Sequence, residues 1–166
     1  MKLYGGFNGT EKKLEEANPK KYFTVLSGDF TQNDKAIETE KDFDFTGNEE
    51  NAYHVLLTTQ LTELTIINGF TIIGGNANGI EAIAYEGDTI NRNIGGGILL
   101  SQGLAPTISN CIFKNNYGFH GGASYNREIA PTYTHCVFEQ NKGLHGAVQY
   151  NIFNSQVRLQ DCIIYH

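Results

Sequence analysis

A repeat with a period of about 25 residues constrains this 166-residue chain more than any other feature. Gly95-Gly96-Gly97-Ile98 is answered 25 residues later by His120-Gly121-Gly122-Ala123, and 25 later again by His145-Gly146-Ala147-Val148. Ala105-Pro106-Thr107-Ile108 returns as Ala130-Pro131-Thr132-Tyr133. Asn110-Cys111-Ile112-Phe113-Lys114-Asn115-Asn116 returns as His135-Cys136-Val137-Phe138-Glu139-Gln140-Asn141, and Asp161-Cys162-Ile163-Ile164 begins a third copy at a step of 26. Self-similarity at such a period marks a chain of stacked structural units.

The units are too finely divided for helices. Their apolar runs last three to five residues, are rich in β-branched and aromatic side chains, and are separated by Gly, Pro and Asn, which reads as short strands. Three short strands and three turns fill about 25 residues. The expected fold is therefore all-β: a right-handed parallel β-helix, a solenoid whose coils stack at roughly 4.7–4.9 Å. Equivalent residues then form ladders: Ile98, Ala123 and Val148; Cys111, Cys136 and Cys162; Phe113, Phe138 and Ile164; Asn116 and Asn141. Ile108 and Cys111 are both apolar yet three apart, so a bend at Asn110 is needed to keep both inside. Its equivalents are His135 and Asp161, and Asn, Asp and His are the non-glycine residues most tolerant of left-handed backbone.

The Gly121-Gly122-Ala123 step, with Gly96-Gly97-Ile98 before it, recurs together with Phe-x-x-Asn at Phe113–Asn116 and Phe138–Asn141. In this the chain resembles the repeats of polymorphic outer-membrane proteins and of bacterial right-handed β-helix surface proteins, from about Ile66 to the end. Tyr4-Gly5-Gly6-Phe7-Asn8-Gly9-Thr10-Glu11, followed by Thr24-Val25-Leu26-Ser27-Gly28-Asp29, is similar to the opening of secreted β-helix proteins of the Bacteroidetes type. The resemblance implies a secreted or outer-membrane cell-surface protein, adhesin-like, whose partners are polysaccharides or host and cell-surface glycans and proteins. It also brings in the pectate-lyase-like enzymes, polysaccharide lyases and glycoside hydrolases, as the alternative.

Composition narrows the classes. With 18% charged residues, 40% hydrophobic ones and 19 glycines, the chain suits stacked strands with polar turns better than disorder. A formal charge of −6 offers no footprint for nucleic acid and little attraction to anionic lipid. No apolar run is long enough to span a bilayer, and Met1-Lys2-Leu3-Tyr4-Gly5-Gly6 does not lead into a signal-peptide core. We expect a fragment, with signal and anchor outside it and coil ends able to self-associate. Residues 1–50 read as an irregular lead-in with short strands, including a helical turn before Pro19 and a loop over Glu38–Asn51; 51–166 read as coils. Matching Leu64–Ile72 to the stretch from Pro106 at a step of 42 leaves about 17 extra residues, placed as an insertion at about 76–93. The cysteines, 25 and 26 apart, are too widely spaced for paired zinc ligands and read as buried free thiols.

The insertion holds Glu81, Tyr85, Glu86, Asp88 and Arg92. Under the enzyme reading, Glu86, Asp88, Arg92, Arg127 and Glu128 are the catalytic set, with Ca²⁺ as the cofactor that carboxylates would hold; the other reading is a solvated acidic loop. Under the binding reading there is no catalytic residue, cofactor or metal site, and Tyr85, Arg127 and Glu128 are the ligand contacts. His120 and His145 recur but lack a third ligand. Tyr125 and Tyr150 are expected to stack inside the coil, leaving Leu99, Ser124 and Gln149 outside.

Overall fold

The computed structural model describes residues 1–38 and 42–165. Their regular structure is strand apart from a single 3₁₀ turn at Leu14–Glu16 just before Pro19. Four parallel sheets carry the architecture. Sheet I contains Leu56–Leu61, Ile98–Gly103, Ser124–Arg127 and Gln149–Ile152. Sheet II contains Lys2–Tyr4, Ile66–Asn68, Thr107–Ser109, Thr132–Thr134 and Arg158–Gln160. Sheet III contains Thr24–Ser27, Phe70–Ile73, Ile112–Lys114, Val137–Glu139 and Ile163–Tyr165. Sheet IV contains Asn76–Ala77, Tyr117–His120 and Lys142–His145. The chain visits them in the order I, II, III, IV, adding one strand to each per circuit, except that the first passage from Thr24–Ser27 to Leu56–Leu61 adds none to sheet IV.

Left-handed residues turn the chain between sheets. Asn110, His135 and Asp161 have φ of 50°, 53° and 51°, and Gly69 holds the same corner with φ 80°. Gln102, Glu128 and Phe153 form a second such set, and Asn115 and Gln140 a third. At the corner leading back to sheet I the set is Gly95, Gly121 and Gly146. Here glycine is needed on two counts: φ reaches 72° at Gly121, and a Cβ there would collide with the Ser124 carbonyl.

The interior holds Ile67, Ile72, Ile98, Leu100, Ile108, Cys111, Phe113, Tyr133, Cys136 and Phe138, all essentially without solvent contact. Phe113 and Phe138 stack at 5.1 Å and 12°. All three cysteines are free, with Cys111 and Cys136 buried. The Cys111 thiol beside it, together with burial, pushes the Cys136 thiol far above its ordinary range.

Sheet I corrects one expected column. Ile98 pairs with Ser124, a step of 26, and Ser124 with Gln149, a step of 25. Ile98 therefore does not share a rung with Ala123 and Val148. The glycine run Gly95–Gly97 permits either alignment, and the corner between sheets I and II absorbs the extra residue: Ser101 to Thr107 is one position longer than Arg127 to Thr132. The in–out order changes with it. Ser124 points inward, its Oγ 2.6 Å from the Tyr133 hydroxyl. Leu99, Tyr125 and Tyr150 form the outer side, the two tyrosines stacking there at 5.8 Å and 11°.

Two segments expected as loops are hairpins. Lys35–Glu38 pairs antiparallel with Phe43–Thr46; residues 39–41 of that expected loop, like His166, lie outside the described residues. Lys142 on sheet IV ties this hairpin down, with Nζ donating to the Phe43 carbonyl at 2.7 Å and lying 3.4 Å from Asp42 and Asp44. In the expected 76–93 insertion, Asn76–Ala77 is a sheet IV strand paired with Tyr117–Gly118, and Ala82–Tyr85 pairs antiparallel with Asp88–Asn91. The turn of that second hairpin is Glu86-Gly87, both with positive φ, the geometry that matches strand twist in two-residue connections.

Asparagines fasten the layers where sheet III meets sheet IV. Buried Asn116 accepts from the Gly75 amide at 3.0 Å and donates to the Ile72 carbonyl at 2.9 Å and to Asn141 Oδ1 at 3.0 Å. Asn141 in turn donates to the Phe113 carbonyl at 2.8 Å. Asn116→Ala removes the partners of several buried groups at once and should cost about 2–4 kcal/mol, read as a lowered midpoint in urea unfolding.

His54, ahead of sheet I, donates through Nδ1 to the Gly95 carbonyl at 3.1 Å, while its Nε2 is buried with no hydrogen-bond partner among the described residues. Burial holds this imidazole below its ordinary value despite that bond. The unfolded chain then binds a proton that the folded chain refuses over the interval below about 6.5, so stability falls as pH drops through it. Unfolding midpoints should decline between about pH 7 and pH 5, and His54→Gln should flatten that decline.

Candidate functional site

The Ala82–Asn91 hairpin lies against the outer side of sheet I. Ile90, Ile94, Leu99 and Tyr125 make a second buried cluster there, flanked by Leu57, Ile83, Tyr150 and Ile152. This burial seats the hairpin, and a polar clamp fixes its register. Asp88 Oδ2 accepts from Ser101 Oγ at 2.8 Å, and Arg127 donates to the same hydroxyl through Nε at 3.1 Å and Nη2 at 2.6 Å. Arg127 Nη2 also bonds directly to Asp88 Oδ2. Sequence separations of 13 to 39 residues thus close into one Asp–Ser–Arg triangle, mostly shielded from solvent.

The clamp brings together two of the five residues of the enzyme reading and occupies both. Arg92 instead lies 3.5 Å from Glu81 and over the Tyr53 ring at 5.3 Å. Tyr85 and Glu86 line a shallow recess with Met1 and Leu57–Leu61. Glu128 lines another with Leu104, Ile129, Phe153 and Asn154. Tyr85 and Glu128 thus line different recesses, while Arg127 is engaged by the clamp. The Asp88 carboxylate faces a guanidinium where a Ca²⁺ site would need further oxygens. Among the described residues no group of three or more His, Cys, Asp or Glu side chains is placed to hold a metal ion.

Another concavity lies elsewhere, along the corner of sheets II and III. It measures about 650 Å³ and is lined by Pro19, Lys20 and Phe23 on one wall and by Asn110, His135, Asp161, Ile112, Val137 and Ile163 on the other. Sheet III supplies the floor. Val25, Thr71, Ile112, Val137 and Ile163 are in register on successive strands and form its outer column. The corner residues form a polar rail beside it, with His135 Nε2 3.8 Å from Asp161 Oδ2. Phe23 is 66% exposed at the opposite rim.

Asn110, His135 and Asp161 were legible in the sequence as turn formers, but not as one side of a groove. Pro19, Lys20 and Phe23 were missed. The available signal was the apolar spacing of Phe23 and Val25, alternating with Thr24 and inward Leu26, which marks an apolar outer side on a short strand. Comparison with protein-family models, with curated proteins and with solved structures found no match.

The clamp makes a measurable coupling. Asp88→Ala strands a shielded guanidinium, so it should destabilise the chain and speed amide exchange over 82–91. Adding Arg127→Ala should recover part of the loss, giving a double-mutant coupling of about 1–3 kcal/mol. Additive single effects would mean that the triangle does not hold the hairpin.

Proposed function

We propose that this chain is a stretch of right-handed parallel β-helix serving as a non-catalytic scaffold, of the secreted or cell-surface kind, that binds glycan along its outer side. The β-helix reading is supported by the recurring order in which the chain visits its four parallel sheets, and its hand by the rule for parallel crossovers. The binding reading rests on one observation: the groove between Phe23 and the Asn110–His135–Asp161 rail. An apolar floor and an aromatic rim suit the C–H faces of sugar rings. Asn, His and Asp supply donors and acceptors for hydroxyls at one side. The rail repeats over three successive layers, at Asn110, His135 and Asp161, so a polymer lying along that part of the stack meets polar groups at successive positions.

The same geometry supports the non-catalytic reading. Glycosidic cleavage needs two carboxyl groups facing one bond, and the groove contributes Asp161 alone among its carboxylates. The Asp88 and Arg127 pair is closed on itself.

A panel of neutral and acidic polysaccharide fragments, polygalacturonate included, tests this with and without Ca²⁺. Chemical-shift changes should gather at Ile112, Val137 and Ile163, and Phe23→Ala should weaken association about fivefold, as loss of one ring contact worth ~1 kcal/mol requires. Unsaturated products or new reducing ends would refute the non-catalytic reading. Shifts confined to the Ala82–Asn91 hairpin would move the site.

A further inference from the structure

The corner between sheets IV and I holds a pair of imidazoles that the groove does not use. His120 and His145 are in register on adjacent parallel strands, so their side chains leave the same side of sheet IV. Their rings stack at 5.0 Å and 23°. Below them in the same column stands Ile94, bridged to His120 and buried. Phe119 contacts both rings, at 4.9 and 5.6 Å, and Tyr150 meets His120 edge-on at 4.6 Å. These aromatic walls and the Ile94 floor limit the directions in which the imidazoles can turn.

The ring nitrogens are idle. No hydrogen bond or ion pair engages either imidazole among the described residues, although every other histidine with a described side chain has a polar partner: His54 with the Gly95 carbonyl and His135 with Asp161. Neutral imidazole is the form that donates a lone pair to a metal. Metal–nitrogen bonds of about 2.0–2.1 Å require two ligating nitrogens within about 4.2 Å of each other. The rings stand 5.0 Å apart between centroids in a near-parallel stack, so ligation of one ion requires both to turn about their broad terminal torsions within the space the aromatic walls leave.

We propose that His120 and His145 form a two-imidazole site for a borderline divalent transition-metal ion, with water completing the coordination. Imidazole nitrogens favour Cu²⁺, Ni²⁺ and Zn²⁺ over hard cations, and Cu²⁺ binds such ligands most tightly of these. Ligation would join two successive layers across the corner, beside the stacked Tyr125 and Tyr150 rings. This site is separate from the glycan groove and stands or falls without it.

The test titrates the intact chain with Cu²⁺ alone, in a non-chelating buffer, followed by visible absorption and electron paramagnetic resonance. One equivalent should bind with a nitrogen hyperfine pattern of two equivalent imidazoles. His120→Ala and His145→Ala should each weaken that event about a hundredfold, since each removes one of two linked ligands. His135→Ala, at the sheet II–III corner, should leave it unchanged. Lowering the pH to about 5 should release the metal by protonating the ligands. Equal affinity in wild type and His145→Ala, or a one-nitrogen pattern in the wild type, would overturn the proposal. The wild-type spectrum decides the matter even if a variant misfolds.

Discussion

Parallel backbone hydrogen bonds between successive layers are what the remainder of this molecule accommodates. Each circuit must deliver its strands beside those of the previous one, at the same height and in the same direction. The corners must then repeat closely, which accounts for left-handed residues stacking on left-handed residues at Asn110, His135 and Asp161 and at Gly95, Gly121 and Gly146. The interior is a consequence of that repetition: Phe113 lies on Phe138 because their backbones are paired. Polar groups inside follow suit, Asn116 bonding to Asn141 one layer on. Length changes are absorbed only where the ladders permit, as in the corner after sheet I and the hairpin before Gly95.

The amino-acid pattern revealed the period, the parallel strands, the ladders of Cys, Phe and Asn, and one left-handed corner. These are local: each rests on residue types recurring at a fixed step. It misplaced Ile98 by one rung because three consecutive glycines carry no side chain to mark the alignment. It put Tyr125 inside because alternation was counted from Ala123, whereas the chain still bends at Gly122–Ala123 and regular alternation starts at Ser124, which also faces inward. Hairpins at Lys35–Thr46 and Ala82–Asn91 read as loops because their outer strands are polar and their partners lie within the same segment. The groove was invisible for a different reason. Its walls come from Pro19–Phe23 and from three corners spread over some fifty residues, and only the closed stack brings them together.

Charge distribution separates pairs that hold the fold from polar groups left open to solvent. The Asp88–Ser101–Arg127 triangle satisfies itself, as does the Lys114–Glu139 pair at 2.6 Å across neighbouring strands of sheet III. Such pairs draw their worth from shielding and from geometry already fixed by the backbone. The rail of Asn110, His135 and Asp161 is solvated and loosely paired, so its polar atoms stay available.

The seating of the Ala82–Asn91 hairpin has one more consequence. It lies over Leu57, Leu99 and Tyr125, the apolar outer side of sheet I. Stripped of that cover, sheet I would present a flat aliphatic and aromatic band, the kind of surface on which one protein molecule lays down against another. An excursion that looks like an interruption of the repeat thus acts as a shutter, letting a ladder that is apolar on both sides exist in water.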